Sequence, residues 1–405
     1  MEVKIDFVPG GTVTSPKGFC AGATYAGIKK KAQGALDLGL LFSEVRCATA
    51  GVFTTNKIKS APVVLSQKRL QSGRAVAVIV NSGCANASTG EQGLADAAEM
   101  SALAAKGLGV SADDVLVAST GVIGQPLPIK LIKESIDQIV LSDEGGHELV
   151  RAMMTTDTVP KEVAVTLPID GKKVTIGGVA KGSGMIHPNL ATMLCFLTTD
   201  AAVELDFLKS ALRRAADISF NMVSVDGDTS PSDTVLLMAN GLAGNKPISA
   251  RSGRARVFQQ ALDQVCVYLA KAIARDGEGA TKFIEVTVNG AVGLSDARQA
   301  ARTIVNSPLV KTAVHGADPN WGRVVAALGR SGIEVVESKI DLDMGGVRVV
   351  NGGKPARYDE LDVIKALKQK EVLITANLNL GTASGTAWGC DLSEKYVIIN
   401  SQYMT

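Results

Sequence analysis

The chain has 405 residues, of which 46% are hydrophobic and 20% charged, so it can bury a large core. Its 42 basic and 40 acidic residues leave a net charge of +2, which argues against nucleic acid as a partner. No apolar run approaches the roughly 18 residues that a membrane-spanning helix needs, and the acidic start of the chain does not predict a secretory signal. A membrane is therefore not an expected partner either.

The cysteines and histidines narrow the chemistry further. The six cysteines stand far apart without a CxxC pair, which predicts reduced thiols and a cytoplasmic protein. None of the three histidines, His147, His187 and His315, has another His or a Cys three or four residues away. We therefore expect no metal site, and histidine has few opportunities to act as the catalytic acid or base.

Hydrophobic patterns predict strands and helices in mixed order. Strands are expected at 75–80 and 284–288 and, more weakly, at 161–167 and 396–399. Helices are expected at 295–305, with Ser295 as N-cap, and at 361–367. Three further helices are predicted from these buried faces: Leu94, Ala98, Ala102 and Ala105; Leu208, Ala211, Leu212 and Ala215; Phe258, Ala261, Leu262, Val265, Leu269 and Ile273.

These elements do not alternate as regular β-α-β units, so a doubly wound sheet is not favoured. The pattern predicts an α/β (α+β) fold with a layered core of sheets and helices. We expect a core over 1–281, a smaller α/β lobe over 282–390 and a C-terminal tail over 391–405.

The first chemically suggestive stretch, Ser-Thr-Gly-Val-Ile-Gly at 119–124, follows the apolar residues 115–117. A glycine N–H at a strand end beside a threonine hydroxyl suits an oxyanion hole, which makes Thr120 and Gly121 candidates. A simple turn after a strand is the alternative interpretation.

A second stretch, 177–194, is rich in glycine. Its spacing matches neither GxxxxGK[ST] nor GxGxxG, since His187 stands where the last glycine of the second motif belongs. Two interpretations remain: a strained loop that brings a hydroxyl against a peptide bond, or an ordinary glycine-rich turn before a buried strand.

Thr192 favours the first interpretation. It follows the small residue Ala191 and begins the apolar run 193–197. Cleavage of the Ala191–Thr192 bond would give Thr192 a free α-amino group, with a pKa of about 7.7–8.0, able to take the proton of its own hydroxyl. One residue would then be both nucleophile and base.

Two acidic stretches are candidate binding sites. Asp226, Asp228 and Asp233 suggest calcium, but the EF-hand spacing is absent and a network of Asx turns is the better interpretation. Glu278, in a turn after the longest predicted helix, is suited to a substrate ammonium or is a solvated acid at a helix end.

Taken together, the chain resembles the ornithine acetyltransferase (glutamate N-acetyltransferase) family of arginine biosynthesis over its whole length. The most specific motifs are KGSGMIHPNLATML at 181–194, VDGDTSPSDT at 225–234, DGEGATKF at 276–283, ADPNWGR at 317–323 and AWGCDL at 387–392. The resemblance implies a self-processing fold of the N-terminal-nucleophile type. It also implies cleavage into a chain of residues 1–191 and a chain of residues 192–405, two copies of each forming a heterotetramer.

The implied activity is transfer of an acetyl group from N-acetylornithine to glutamate through an acetyl-Thr192 intermediate. By family position, Thr120 and Gly121 form the oxyanion hole. The substrate-binding positions are Thr155, Lys181, Thr192, Glu278, Asn400 and Thr405. No cofactor is implied, although acetyl-CoA is a possible co-substrate. The alternatives are an amidase or aminopeptidase that uses water as acceptor, and a binding protein that never cleaves itself.

Overall fold

The computed structural model describes residues 4–29, 34–187 and 193–402. Its strands are β1 (Asp6–Phe7), β2 (Phe19–Thr24), β3 (Leu38–Phe53), β4 (Arg74–Cys84), β5 (Val115–Val122), β6 (Lys161–Ile169), β7 (Lys172–Lys181), β8 (Leu194–Thr199), β9 (Val223–Ser224), β10 (Thr234–Ala239), β11 (Phe283–Ala291), β12 (Asp341–Met344), β13 (Val347–Asn351), β14 (Lys354–Pro355), β15 (Glu371–Asn377) and β16 (Ala383–Cys390).

The helices are α1 (Ala61–Arg69), α2 (Gly90–Leu108), α3 (Ile129–Ser135), α4 (Gly146–Met153), α5 (Leu205–Ile218), α6 (Ala255–Arg275), α7 (Leu294–Val305), α8 (Pro308–Gly316), α9 (Gly322–Gly329), α10 (Glu360–Leu367) and α11 (Glu394–Ser401). The predicted mixed α/β class is confirmed. Within the described residues, no helix combines the length and the apolar character that crossing a membrane requires.

The first sheet has nine strands in the order β1-β6-β7-β8-β10-β3-β4-β5, with β2 paired to β3 outside this path. Strand β8 pairs antiparallel with β7 and parallel with β10, and β10 pairs antiparallel with β3. Every residue of β8 and of β10 is buried. A strand covered on both faces needs an unbroken apolar run, which is the pattern found at 193–197.

Helices cover both faces of this sheet. On one face α6 packs on β6 and β7, and α5 packs on β3. On the other, α4 contacts β2, β3, β4 and β7. The predicted buried faces of α5 and α6 are confirmed, because each residue predicted to lie on those faces is less than 2% exposed. Full burial of each large apolar side chain contributes about 1.5–3 kcal/mol.

The second sheet has seven strands in the order β14-β13-β12-β15-β11-β16-β9. Helix α7 packs on β11 and β16, while α6 contacts β16 and β9 as well as the first sheet. One hydrophobic cluster therefore runs through both sheets, from Val165 past Leu269 to Val286. Strand β9 enters this sheet from the segment before α6, and the division of the chain into core, lobe and tail stays a prediction.

Three details of the sequence analysis are wrong. Residues 396–399 lie in helix α11, and their run of apolar side chains, too short to show a helical period, was not diagnostic of a strand. Ser295 lies inside α7, whose N-cap is Gly293. The buried face of α2 is Gly93, Asp96, Ala97, Met100, Ser101, Ala104 and Ala105, and Leu94 is 41% exposed. The helix has small residues on every face, so the spacing of its alanines does not locate the buried face.

Candidate active site

A cavity of about 270 Å³ lies where several elements end close together. Strands β5 and β7 end at its wall, the turns after α4 and α6 reach it, and α11 from the C-terminal part closes one side. The predicted site residues within the described parts of the chain all line it: Thr120, Gly121, Thr155, Lys181, Glu278 and Asn400. The roles of Thr155, Lys181 and Asn400 are implied by the resemblance alone, and the structure brings all six residues to one cavity.

Ala191, Thr192 and Thr405 lie outside the described residues. The chain is described again from Met193, whose N–H donates to Asp233 Oδ1 at 3.1 Å. The next residue, Leu194, pairs with Lys181 across β7 and β8. The described chain on the C-terminal side of the predicted cleavage point therefore starts beside the strand that carries Lys181.

Lys181 is the central cation of the cavity. Its side chain is 3% exposed, and its Nζ donates to Thr155 Oγ1 at 3.0 Å and to Thr120 Oγ1 at 3.3 Å. Burial lowers the pKa of this ammonium, although the nearby Asp157 carboxylate opposes that shift. A cation bonded to neutral hydroxyls keeps charge available for a carboxylate in the cavity.

Asp157 lies directly behind Lys181 and is fully buried. Burial by itself would raise the pKa of this carboxyl group, but the ammoniums of Lys181 and Lys161 and the Gly182 N–H hold it at about 2. Its negative charge is therefore fixed at neutral pH. Sequence analysis missed both Asp157 and Lys161, because a charged residue near a strand end normally indicates a solvated position.

Gly121, the penultimate residue of β5, pairs with Gly83 of β4. Its φ is +128°, and a Cβ at Gly121 would lie 2.3 Å from the carbonyl carbon of Gly83. No side chain fits here, so only glycine permits the close approach of β4 and β5 beside Thr120. The assignment of Thr120 and Gly121 to an oxyanion hole stays a prediction, since residue 191 lies outside the described residues.

Glu278 and Asn400 form the opposite wall. Asn400 Nδ2 donates to Glu278 Oε2 at 2.7 Å, and the Glu278 N–H donates to the Ser183 carbonyl at 2.8 Å. Glu278 is only 7% exposed, so the interpretation as a solvated helix-end acid is wrong. Gly184 leaves room for this carboxylate, because a Cβ at 184 would lie 2.4 Å from both of its oxygens.

Between β9 and β10, the acidic stretch contains a predicted Asx turn, in which the Asp228 N–H donates to Asp226 Oδ1 at 3.2 Å. Asp226 accepts the N–H groups of Met185 at 2.6 Å and Ile186 at 2.9 Å, which fixes the end of the glycine-rich loop. Asp233 is fully buried, and among the described residues its Oδ2 has no hydrogen-bond partner. Burial raises the pKa of Asp233 well above its usual range. Its place beside Met193 was not visible in the sequence.

His187 is the histidine nearest to the predicted cleavage point. Its Nδ1 lies 3.2 Å from Ser224 Oγ, and burial together with the Arg302 guanidinium lowers the pKa of its ring. Among the described residues, no group of His, Cys, Asp and Glu side chains has the arrangement of a metal site. The groups gathered at the cavity are instead an ammonium, threonine hydroxyls and a carboxylate.

This arrangement defines a class of protein: an α/β enzyme whose cavity wall carries both a buried ammonium and a buried carboxylate. The ArgJ family model matches residues 20–405. The chain is 54% identical over 405 residues, all of both chains, to the arginine biosynthesis bifunctional protein ArgJ of Dehalococcoides mccartyi (strain CBDB1). It therefore belongs to the ArgJ family.

Two further relatives agree. The ArgJ protein of Symbiobacterium thermophilum is 54% identical over 397 residues, 98% of this chain and 99% of that protein. A crystal structure of the arginine biosynthesis bifunctional protein argJ of Bacillus halodurans superposes with a TM-score of 0.51 and 44% identity. That match covers 51% of this chain and 98% of the solved chain.

Proposed function

We propose that this enzyme transfers the acetyl group of N2-acetyl-L-ornithine to L-glutamate, giving L-ornithine and N-acetyl-L-glutamate in arginine biosynthesis. The observation that carries the proposal is the convergence of Lys181, Thr120, Thr155 and the Glu278–Asn400 pair on one cavity of an ArgJ family member. Both substrates are α-amino acids or their derivatives, so each brings a carboxylate that needs a fixed cation.

The charges of the cavity fit these substrates. Lys181 is placed to bind the α-carboxylate, because its ammonium is bonded to hydroxyls and not directly to an acid. Glu278 is suited to the side-chain ammonium of ornithine, since it is a buried carboxylate whose Oε2 accepts from the neutral Asn400 amide. An acetyl-enzyme intermediate lets ornithine leave before glutamate binds, so donor and acceptor bind in turn.

The nucleophile in this proposal is Thr192. Its hydroxyl attacks the Ala191 carbonyl, the Ala191–Thr192 C–N bond breaks as the acyl group moves to the oxygen, and water hydrolyses the resulting ester, which frees the α-amino group and the hydroxyl of Thr192. The new α-amino group takes the hydroxyl proton, and the oxygen attacks the acetyl carbonyl of the donor. The C–N bond breaks, ornithine leaves with the proton on its amine, and acetyl-Thr192 remains. The glutamate amine then attacks the ester, and the threonine hydroxyl is regenerated.

Thr120 and Gly121 are proposed to stabilise the oxyanion in each half-reaction. One such donor is typically worth about 10²–10³ in rate. Thr155 is proposed to bind substrate beside Lys181, and Thr405 to contact it from the C-terminal tail. The solved Bacillus halodurans chain is 98% covered and matches only 51% of this chain, and a polypeptide of half length supports cleavage into two fragments.

Three further expectations belong to this proposal. The relatives are named as bifunctional, which supports a second activity, acetylation of glutamate with acetyl-CoA as co-substrate. The two cleaved chains are proposed to assemble as a heterotetramer with two copies of each, located in the cytoplasm. Hydrolysis by an amidase or aminopeptidase is not favoured, because the family match extends over residues 20–405.

The test is the substitution Thr192→Ala beside the matched control Thr303→Ala in α7. The wild type and the control should run as two fragments on a denaturing gel, with the second beginning Thr-Met-Leu-Cys. Thr192→Ala should remain one chain without transferase activity. Cleavage in that variant, or ornithine release by the wild type at a rate independent of glutamate, would contradict the proposal.

A further inference from the structure

A row of buried charges extends from the cavity into the protein. Lys181 faces Asp157, Asp157 binds Lys161, and Lys161 binds Asp276 at the end of α6. All four side chains are at most 6% exposed. Charges buried to this extent are costly unless each is compensated, so their arrangement needs an explanation beyond solvation.

The two lysines contact Asp157 unequally. Lys161 Nζ donates to Asp157 Oδ1 at 2.7 Å, whereas Lys181 Nζ lies 4.0 Å from Oδ2, beyond hydrogen-bonding distance. Lys161 is held in this position by a second acid, because its Nζ also donates to Asp276 Oδ2 at 2.6 Å. Asp157 is thus tied to the lysine that lies away from the cavity.

Asp157 also organises the wall around Lys181. Its Oδ1 accepts the Gly182 N–H at 2.6 Å, and its Oδ2 accepts the Thr155 N–H at 3.1 Å. One carboxylate therefore fixes the residue after Lys181 and the backbone of a residue whose hydroxyl accepts from Lys181. If Asp157 shifted to pair directly with Lys181, both backbone contacts and the cavity ammonium would be affected.

We propose that Asp157 and Lys161 are positioning residues, and that Lys161 keeps Asp157 from neutralising Lys181, so that the Lys181 ammonium stays available for a substrate carboxylate. The role of Lys181 toward substrate rests on the proposed function. Its electrostatic relation to Asp157 and Lys161 does not.

The two positioning residues act on Lys181 with opposite sign. Burial lowers the pKa of Lys181, Asp157 raises it and Lys161 lowers it further. Glu278 and Asp233 raise this pKa by smaller amounts. Asp157→Asn should therefore lower the pKa of Lys181, and Lys161→Met should raise it. Simple loss of structure would expose Lys181 and raise its pKa toward the ordinary lysine value in both variants.

The experiment compares wild type, Lys161→Met, Asp157→Asn and the double variant with the control Lys271→Met, which removes an ion pair of 2.7 Å outside the cavity. A small acylating reagent labels Lys181 over a range of pH, and mass spectrometry gives its pKa without reference to activity. Steady-state assays give KM and kcat for N-acetylornithine and for glutamate.

In Lys161→Met we expect KM for both substrates to rise about 10- to 100-fold, the value of a hydrogen bond to a charged group, with a smaller change in kcat. The double variant removes both opposing charges, so its Lys181 pKa should return to within about half a pH unit of wild type, and its KM should fall below that of Lys161→Met. If a single variant does not fold, the double variant, which keeps the net charge, decides the question.

A double variant as impaired as either single variant would overturn the proposal, as would a raised Lys181 pKa in Asp157→Asn. Wild-type enzyme that transfers no acetyl group would instead refute the proposed function. The labelling result would still stand in that case.

Discussion

Gly184→Ala tests whether the cavity depends on the position of one carboxylate. A Cβ at residue 184 would lie 2.4 Å from both carboxylate oxygens of Glu278. The φ of Gly184 is not in the left-handed region, so alanine fits the backbone there. The three atoms nearest to the added methyl group all belong to Glu278, so its main effect falls on that side chain.

Ordinary van der Waals contact begins at 3.4 Å, so the Glu278 carboxylate must retreat by about 1 Å from the added Cβ. The side chain ends in a movable group, and rotation relieves the overlap at a cost of about 1 kcal/mol or less. A displacement of about 1 Å at a binding group nevertheless costs about 10²-fold in rate. We expect nearly unchanged stability and a large loss of kcat/KM.

Denaturant unfolding measures stability, and separate half-reaction assays measure kcat/KM for N-acetylornithine and glutamate. The donor half-reaction should suffer more, since Glu278 is proposed to bind the ornithine ammonium. Gly107→Ala in α2 is the matched control, because no atom lies within 4 Å of its added Cβ. It should stabilise the protein by about 0.5–1 kcal/mol without changing the kinetics.

Adding Glu278→Asp to Gly184→Ala shortens the acid and should recover part of the lost donor activity. The reasoning is refuted if Gly184→Ala keeps kcat/KM within about threefold of wild type. It is also refuted if the donor and acceptor half-reactions lose activity equally.

Two further predictions concern stability. A Cβ at residue 121 would lie 2.3 Å from the carbonyl carbon of Gly83, and the φ of Gly121 is +128°. Gly124 also has a positive φ, of +79°, but no atom lies within 4 Å of an added Cβ there. Denaturant unfolding should show a loss of about 1–2 kcal/mol for Gly124→Ala and about 1–3 kcal/mol more for Gly121→Ala; equal losses would contradict the steric explanation. Asp233 has a raised folded pKa, so its contribution to stability is full below the unfolded value of about 3.9 and is lost as pH rises toward the folded pKa. Asp233→Asn should therefore gain stability relative to wild type as pH rises above about 4 in thermal melts, and a constant difference would contradict this.

The sequence predicted those parts of the fold in which side-chain character alternates clearly. In α6, large residues such as Phe258 and Leu269 stand among polar ones, so their spacing identifies the buried face. In α2, alanines occur all around the helix, and Met100 rather than Leu94 is buried. Helix α11 has no residue that is buried, and no periodic pattern marks it.

The sequence predicts the site residues that belong to a recognisable motif. It does not predict ion pairs between charged residues that are far apart in the chain. Resemblance assigned Lys181 and Glu278, and the structure brings both to one cavity. The contact of Lys161 with Asp276 joins residues 115 positions apart in the chain. No local pattern encodes that separation, and isolated charged residues in a sequence usually indicate solvent.

The strand order of the first sheet has a consequence for the cleaved enzyme. Strands β8 and β10 belong to the proposed second fragment, yet they lie between β7 and β3 of the first. Cleavage would turn both flanking ladders, from Ile176↔Thr199 and from Thr234↔Phe53, into contacts between separate polypeptides. The intact chain folds in a unimolecular reaction, whereas denatured fragments must find each other first. Cleavage would thus make refolding depend on protein concentration, and only the uncleaved chain would reach this strand order in a unimolecular reaction.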